Sequence, residues 1–253
     1  MKTKFLNAGT QLLERSKPIL NLERRLFMKS ALTLGSLSLL TGCDATNPSA
    51  VDRILWAMSH WNDKVQAAIF DSNKLAQLYN ESDITDPFPF NAFYDESVAP
   101  EVTESTYALH VSGLISNKES WSLAKLRALP QASQITRHIC VEGWSAIGKW
   151  GGVPFGDFLR IVGADTRAKY VGFTCADNYY TSIDMATALH PQTLLALTFR
   201  DQMLPRRYGF PMKLRVPTKL GHKNPKHIMA ISVTNDYPGG YWEDQGYNWF
   251  SGS

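Results

Sequence analysis

"RHICVEGWSAIGKWGGVPF", residues 137–155, is the stretch on which the interpretation of this chain depends. Alternate residues of an extended segment share a face, so Ile139 and Val141 are predicted to point into a core. The opposite, polar face is predicted to line a site and consists of His138, Cys140 and Glu142. The glycines that follow, Gly143, Gly148, Gly151 and Gly152, allow tight turns and a close approach of the backbone to a ligand.

From the residues alone, Cys140 has four interpretations. A free cysteine is often an ordinary core residue, and in an exported protein it can form a disulfide, here with Cys175. A zinc site made by His138, Cys140 and Glu142 is a third interpretation, although neighbouring strand positions seldom converge on one ion. The fourth is a single sulfur ligand for a soft metal whose other ligands come from a cofactor.

The composition describes one substantial domain with a buried core. The chain has 253 residues, of which 44% are hydrophobic and 19% charged, and its net charge is +3. Its three cysteines, Cys43, Cys140 and Cys175, are too few for a disulfide-stapled scaffold. The small net charge does not argue for nucleic-acid binding, and we expect no nucleic-acid partner.

The first 43 residues have the pattern of an export signal. Arg24 and Arg25 precede a modestly apolar run, residues 31–40, which is too short to span a bilayer. The arginine pair resembles a twin-arginine signal, and residues 40–43 resemble a lipobox. We therefore predict a periplasmic protein that is exported already folded, with a lipid anchor through Cys43.

Three parts are predicted along the chain: a signal segment (1–43), a tether with an amphipathic helix (44–82) and a main domain (83–253). Apolar residues between Ile54 and Ile69 recur at helical spacing, and we expect them to pack on the main domain. Strand patterns interleaved with short helices then predict an α+β fold. The predicted strands are 107–115, 134–143, 168–176, 194–201, 212–220 and 227–235, and the short helices are 121–130 and 154–163.

Several stretches together indicate a family. "CVEGWSAIGKWGGVPFGDFL" follows "FNAFYD" and precedes "KYVGFT" and "LRVPTKLGHKNPKHI". In this order they resemble the sulfite oxidase superfamily of molybdopterin enzymes, and within it the branch of periplasmic methionine-sulfoxide reductase catalytic subunits. The resemblance runs from Phe90 to the C-terminus. It implies a sulfite-oxidase-type molybdopterin-binding domain of mixed β-sheets with short flanking helices.

The resemblance also implies a cofactor and a set of site residues. The cofactor is molybdenum-molybdopterin without an appended nucleotide. Cys140 would supply the protein's sulfur ligand to molybdenum. Glu142 and Arg137 are catalytic candidates because they lie near this cysteine in the sequence, and not because a family motif contains them. The implied pterin contacts are Asn91, Tyr94, Asp95, Cys175, Tyr208, Lys213, Asn224, Pro225 and Lys226.

Three of these positions depart from the sulfoxide-reductase pattern, in which Thr is usual at Cys175, Asn at Tyr208 and Arg at Lys213. Lysine keeps the charge of arginine but loses its bidentate fork. The same cofactor is still expected despite these departures. The substrate can differ from that of the sulfoxide reductases. A pterin phosphate is an anion that needs cations and backbone donors, and the basic segment from Lys213 to His227 contains both.

The predicted function is reduction of an S-oxide or a similar small molecule by oxygen-atom transfer, with Asp177, Asn178, Tyr179 and Tyr180 as candidates for substrate orientation. The sequence has no CxxCH haem motif, so electrons are expected from a separate partner, a membrane quinol-linked haem protein or cytochrome. A sulfite dehydrogenase is the alternative enzyme. The alternative without enzymatic activity is a disulfide-bonded exported lipoprotein that acts as a binding module. The aromatic tail from Tyr237 to Phe250 is a packing arm, a cover for the metal pocket or a docking face.

Overall fold

The computed structural model describes residues 48–71 and 74–253, so the predicted signal segment with Cys43 lies outside the described residues. By its internal contacts the chain forms one unit that ends at Leu55 and a second unit, Trp56–Ser253. Helix α1, Pro48–Ile69, begins in the first unit and continues into the second. Among the described residues, no helix is both long enough and apolar enough to cross a membrane.

The second unit contains ten strands and three further short helices among its described residues. The strands are β1 (Ala108–Gly113), β2 (Trp121–Ser122), β3 (Ala132–Ile139), β4 (Ser145–Pro154), β5 (Tyr170–Cys175), β6 (Tyr180–Asp184), β7 (Leu194–Phe199), β8 (Gln202–Met203), β9 (Lys213–Arg215) and β10 (Ile228–Thr234). The helices are α2 (Leu123–Arg127), α3 (Phe155–Ile161) and α4 (Met185–Ala188). The side chains of Ser122 and Asp184 cap the first turns of α2 and α4.

These strands form two five-stranded sheets. In the first, with the order β2-β1-β10-β5-β6, only the β1–β10 pair is parallel. The second has the order β3-β4-β7-β8, and β9 also pairs with β7; all its pairs are antiparallel. Side chains from both sheets, such as Val171, Ile231 and Leu195, belong to one core cluster. This is the predicted α+β fold of mixed sheets with short helices.

Strand β4 differs from the sequence-based expectation, because its glycines lie within a strand and not in turns. A Cβ atom on Gly152 would lie 1.9 Å from the carbonyl oxygen of Leu195, and one on Gly151 would lie 2.4 Å from the Thr198 hydroxyl. The glycines therefore let β4 and β7 pair closely. Strand β6 was also not predicted.

Strand β3 ends at Ile139, before the predicted end at residue 143. The amide of Cys140 donates to the carbonyl of Trp144 at 2.9 Å, and the amide of Gly143 donates to that of Cys140 at 3.2 Å. Residues 140–143 thus form the turn between β3 and β4, with Gly143 at φ +90°. The prediction that Val141 points into a core is wrong, since the alternation ends with the strand and Val141 is exposed.

Helix α1 confirms the predicted helix but not its packing. Asp63, a polar residue of this helix, is buried, and it accepts a hydrogen bond from the amide of Phe250 at 2.7 Å. Trp61 and Ile69 are exposed. The expectation that the apolar residues pack on the main domain is therefore wrong for the helix within the second unit.

Candidate active site

A cavity of about 360 Å³ opens beside the β3–β4 turn. Five segments that are distant in the sequence converge on it, because the two sheets bring their loops together at this point. Its lining consists of Asn91, Ala92, Phe93, Tyr94, Cys140, Val141, Glu142, Asp177, Tyr179, Gly221, His222, Asn224, Pro225, Lys226, Trp242 and Tyr247.

Cys140 lies in this lining as a free thiol, and Cys175 is free as well. The two cysteines are not joined, so the disulfide interpretation is wrong. Burial raises the pKa of Cys140, which keeps the thiol protonated unless a cation displaces the proton; a bound metal ion does this. Among the described residues, no cluster of three or more His, Cys, Asp and Glu side chains is arranged to hold a metal, so a zinc site made by His138, Cys140 and Glu142 is excluded as well.

Buried cations lie next to Cys140. Lys213 is 2% exposed and Arg215 is fully buried. Burial holds the pKa of Lys213 well below its usual range, and the charges of Lys226 and Arg215 lower it further, whereas a thiolate at Cys140 would raise it. Burial also lowers the pKa of Arg215 to about 9 and that of Lys226 to about 8. Such a group of buried cations is costly unless an anion compensates it.

Hydrogen bonds hold these cations in place. Arg215 donates to the side-chain oxygen of Asn224 at 2.9 Å and to the Thr136 hydroxyl at 3.2 Å. Lys226 donates to the carbonyl of Asn91 at 2.7 Å, with its ammonium 4.5 Å from the centroid of the Phe90 ring. The loop from Asn224 to Lys226 is thereby tied both to β9 and to the segment that contains Asn91.

His138 was predicted to line the site, but it is buried and absent from the cavity lining, with Nδ1 unpartnered. Burial and the neighbouring cations hold its pKa well below the usual range, so the ring is neutral. A Cβ atom on Gly221 would lie 2.8 Å from His138 Nε2. A glycine at this position therefore allows the loop to approach the end of β3.

Aromatic side chains form the outer wall. Phe93 stacks on Tyr241 with ring centroids 4.8 Å apart. The Tyr94 hydroxyl donates to Asp177 at 2.9 Å, and burial together with Asp177 raises the pKa of Tyr94. The Tyr179 hydroxyl donates to the carbonyl of His222 at 2.7 Å. This bond joins the loop after β5 to residues 221–226, which we call the basic loop.

The aromatic tail is packed, and it also contributes to the cavity. Glu243 forms a fully buried ion pair with Lys223 and accepts a hydrogen bond from Thr181 at 2.7 Å. This pair fixes the tail to the basic loop, so that Trp242 and Tyr247 lie in the cavity lining. Two of the three interpretations of the tail, packing arm and pocket cover, therefore describe the same structure.

The structure brings seven of the predicted site residues into the cavity lining and places five elsewhere. The seven are Cys140, Glu142, Asn91, Tyr94, Asn224, Pro225 and Lys226. Arg137 was predicted beside the metal ligand but is exposed on β3, 5.3 Å from the Tyr79 ring, because Cys140 lies beyond the strand's end. Lys213 lies behind the lining, close enough to Cys140 for their charges to interact.

The other three predicted site residues have roles in packing or helix capping. Asp95 accepts a hydrogen bond from the amide of Ser97 at 2.9 Å and caps a short 3₁₀ helix. Cys175 lies in the core cluster. The Tyr208 hydroxyl donates to the carbonyl of Phe88 at 2.7 Å within a second, aromatic cluster. None of the three lines the cavity, which is a correction to their predicted place.

Phe93, Trp242 and Tyr247 line the cavity but were not singled out as site residues. Their signal in the sequence is the density of aromatic residues in 88–94 and in the tail. That density does not by itself separate packing from a ligand site.

Comparison with known proteins identifies the family. Residues 96–242 match the family described as the oxidoreductase molybdopterin binding domain. The chain is 65% identical over 230 residues to the "Putative protein-methionine-sulfoxide reductase subunit YedZ1" of Azospira oryzae, covering 91% of this chain and 88% of that protein. It is 31% identical over 185 residues to the protein-methionine-sulfoxide reductase catalytic subunit MsrP of Xanthomonas campestris, covering 64% of this chain and 58% of that protein.

A solved structure shares the fold. The sulfane dehydrogenase SoxCD of Paracoccus pantotrophus superposes with a TM-score of 0.51 at 18% identity, over 55% of this chain and 40% of the other. At this identity the likeness is one of fold.

The residues present fit a molybdenum-pterin group. Lys213 and Arg215, whose pKa values no carboxylate raises, suit its phosphate, and the free thiol of Cys140 in the cavity wall suits a soft metal. The buried Nδ1 of His138 and Nε of Arg215 lack partners within the protein, as expected beside a polar ligand. The chain belongs to the molybdopterin-binding oxidoreductases of the sulfite oxidase superfamily, close to the MsrP branch, and is an enzyme.

Proposed function

We propose that this enzyme reduces an S-oxide at the cavity beside Cys140. The observation that carries the proposal is one free thiol in the wall of a cavity that is backed by buried cations and rimmed by aromatic rings. The names of the relatives, which refer to protein-methionine-sulfoxide reduction, support this substrate class. When bound, the molybdenum-pterin group supplies two-electron and oxygen-atom transfer chemistry.

The protein's own residues hold and orient this group. Cys140 would provide the thiolate ligand, and Lys226, Lys213 and Arg215 would compensate the phosphate charge. The cavity of about 360 Å³ is at the small end of the usual range for ligand pockets, roughly 300–1,000 Å³. That volume supports a cofactor without an appended nucleotide.

The rim supports an S-oxide over sulfite. Reduction of an S-oxide consumes two electrons and two protons, breaks the S–O bond, and releases the sulfide and water. Phe93, Trp242 and Tyr247 offer apolar surface to the organic groups on sulfur. A sulfite dehydrogenase would have to hold a small dianion, and the exposed carboxylate of Glu142 beside Cys140 disfavours an anion there.

The proposal includes the cellular context predicted from the sequence. The enzyme is exported to the periplasm in folded form by the twin-arginine route and is anchored by a lipid on Cys43. A separate membrane quinol-linked haem protein or cytochrome supplies its electrons. The Arg24–Arg25 pair, the apolar run and the residues before Cys43 support this context.

Metal analysis of the purified protein tests the proposal. The wild-type chain from a host that makes the cofactor should carry about one molybdenum, as expected for one resident cofactor per active site. Cys140→Ser should lose the metal and the turnover of S-oxides with an artificial electron donor. Cys175→Ser is the matched control, because this free cysteine lies in the core, and it should keep the metal. A wild-type protein without molybdenum, or turnover of sulfite and not of S-oxides, would contradict the proposal.

A further inference from the structure

Helix α1 turns a polar face toward the rest of the second unit. Asp63 and Gln66 accept hydrogen bonds from the amides of Phe250 and Gly252, at 2.7 and 3.2 Å. Phe70, directly after the helix, packs edge-on against the Phe250 ring with centroids 5.5 Å apart. The spacing of three and four residues places these positions on one side of the helix. This polar side holds the helix to the C-terminal tail.

Apolar side chains form an exposed stripe on the same helix. Met58, Trp61, Val65 and Ile69 are 62%, 68%, 36% and 77% exposed. They also follow helical spacing, and they are rotated about a third of a turn from Asp63 and Gln66. Single exposed apolar residues are ordinary, but a contiguous stripe of them marks an interaction site. We call these four residues the Met58 stripe.

The charge of the helix restricts the partner. Between Trp56 and Ile69 the sequence contains one acidic residue, Asp63, and this residue is buried against the tail. His60 and Lys64 are exposed. The outward surface of this part of the helix therefore carries no acidic side chain, which is compatible with an anionic surface.

We propose that the Met58 stripe lies in the interfacial layer of a lipid bilayer, with α1 parallel to the membrane plane. Helices of this kind bury one apolar face at the boundary between headgroups and acyl chains, and they typically combine tryptophan on that face with basic residues elsewhere. From Met58 to Ile69 the stripe is about 17 Å long. Cys43, the predicted anchor, lies 15 residues before Met58 in the sequence, which would bring the helix to the same surface.

A second copy of the chain is a less suitable occupant. Stable protein interfaces take roughly 20–30 residues from each partner, and the Met58 stripe contains four apolar side chains in a single row. A bilayer accepts a single row, because the lipid surrounds each side chain. The inference does not depend on which substrate the enzyme reduces.

Vesicle binding tests this inference. The full chain with its cofactor is prepared as Cys43→Ser, so that no acyl chain can anchor it, and is sedimented with vesicles of phosphatidylethanolamine and phosphatidylglycerol. We expect it to bind, and we expect the added pair Met58→Ser and Ile69→Ser to lower the partition coefficient at least about tenfold, from the lost apolar burial. The matched control is the pair Met203→Ser and Val98→Ser, because these side chains are similarly exposed, at 58% and 65%.

Three results would overturn the inference. The first is a Cys43→Ser chain that stays in the supernatant. The second is equal binding by the stripe and control variants, which would assign membrane binding to another part of the chain. The third is a dimer, detected by light scattering, that forms in the Cys43→Ser chain and in the control variant but not in the stripe variant. All variants should melt at the wild-type temperature, because the replaced side chains are exposed.

Discussion

Lys213 is the residue of the site whose buried charge most clearly requires a nearby anion. Its ammonium lies 5.1 Å from the centroid of the Trp150 ring, and burial together with Lys226 and Arg215 holds its pKa well below the usual range. In the cofactor-free protein this position is a cost to folding. With a phosphate nearby the same charge becomes favourable.

Replacing Lys213 separates these two effects. We expect Lys213→Met to stabilise the cofactor-free protein by about 1–3 kcal/mol, because an apolar side chain of similar length no longer needs solvation. The same variant should retain less pterin, whereas Lys213→Arg, which keeps the charge, should retain it. Urea denaturation and the fluorescence of released, oxidised pterin measure the two quantities. A Met variant that loses stability yet binds the cofactor normally would show that Lys213 serves only packing.

At the scale of elements, the glycines of β4 determine how closely β4 and β7 approach each other in the second sheet. A Cβ atom on Gly152 would meet the backbone of Leu195 and Ala196, and backbone atoms of a paired strand cannot move aside as a side chain can. A Cβ atom on Gly156, at the start of α3, would lie 3.7 Å from the nearest atom, which is ordinary contact.

These two glycines form a matched pair of substitutions. Gly152→Ala should destabilise the protein by about 3 kcal/mol or more, because β4 and β7 must separate. Gly156→Ala should be neutral or stabilising by up to about 1 kcal/mol, since alanine has the higher helix propensity. Chemical denaturation of the cofactor-free proteins gives both values. Equal effects of the two changes would mean that β4 and β7 can move apart at little cost.

The same strand shows where sequence patterns stop being informative. β1, β5 and β10 were predicted because their apolar residues mark them as strands, and their neighbours in space do not alter that pattern. β4 was missed because its glycines are explained by contacts with β7, more than 40 residues away in the sequence. The alternation of residues 137–142 continued past Ile139, and only the hydrogen bonds of the turn show that Cys140 lies beyond the strand.

Strand alternation pointed to Cys140 and Glu142, and the rest of the site was predictable from the family motifs rather than from patterns. Asn91 and Lys226 are 135 residues apart in the sequence and meet through one hydrogen bond, which no periodicity contains. Motif resemblance gave both residues, and it gave Cys140. It also gave Asp95 and Tyr208, which do not line the cavity, because a motif identifies positions and does not show where each side chain points.

For the molecule as a whole, buried bases determine how stability depends on pH. Burial lowers the pKa of His222 and His227 to about 4, and that of Lys219 to about 7. Each of these groups loses its proton at lower pH in the folded protein than in the unfolded chain. The unfolded state therefore binds more protons in these windows, and the free energy of unfolding rises with pH.

The two buried thiols oppose the increase in the free energy of unfolding at high pH. Burial raises the pKa of Cys140 and Cys175, so above about pH 9, where unfolded cysteines ionise, the folded protein holds these two protons more tightly and the rise is opposed. Lys219 contributes between its folded pKa of about 7 and the unfolded value near 10.4. The increase should thus be visible from about pH 7 to 9.

We therefore expect the cofactor-free protein to gain stability from pH 7 to pH 9, by up to about 1.4 kcal/mol per pH unit for each proton involved. Lys219→Met should reduce this slope, because it removes a buried ammonium whose pKa burial lowers despite a 3.7 Å ion pair with Asp184. Lys118→Met, at an exposed position, is the matched control and should keep the slope. Urea denaturation at pH 7, 8 and 9 measures it. A wild-type slope that is flat or negative would mean that burial does not lower the pKa of these lysines in the folded protein.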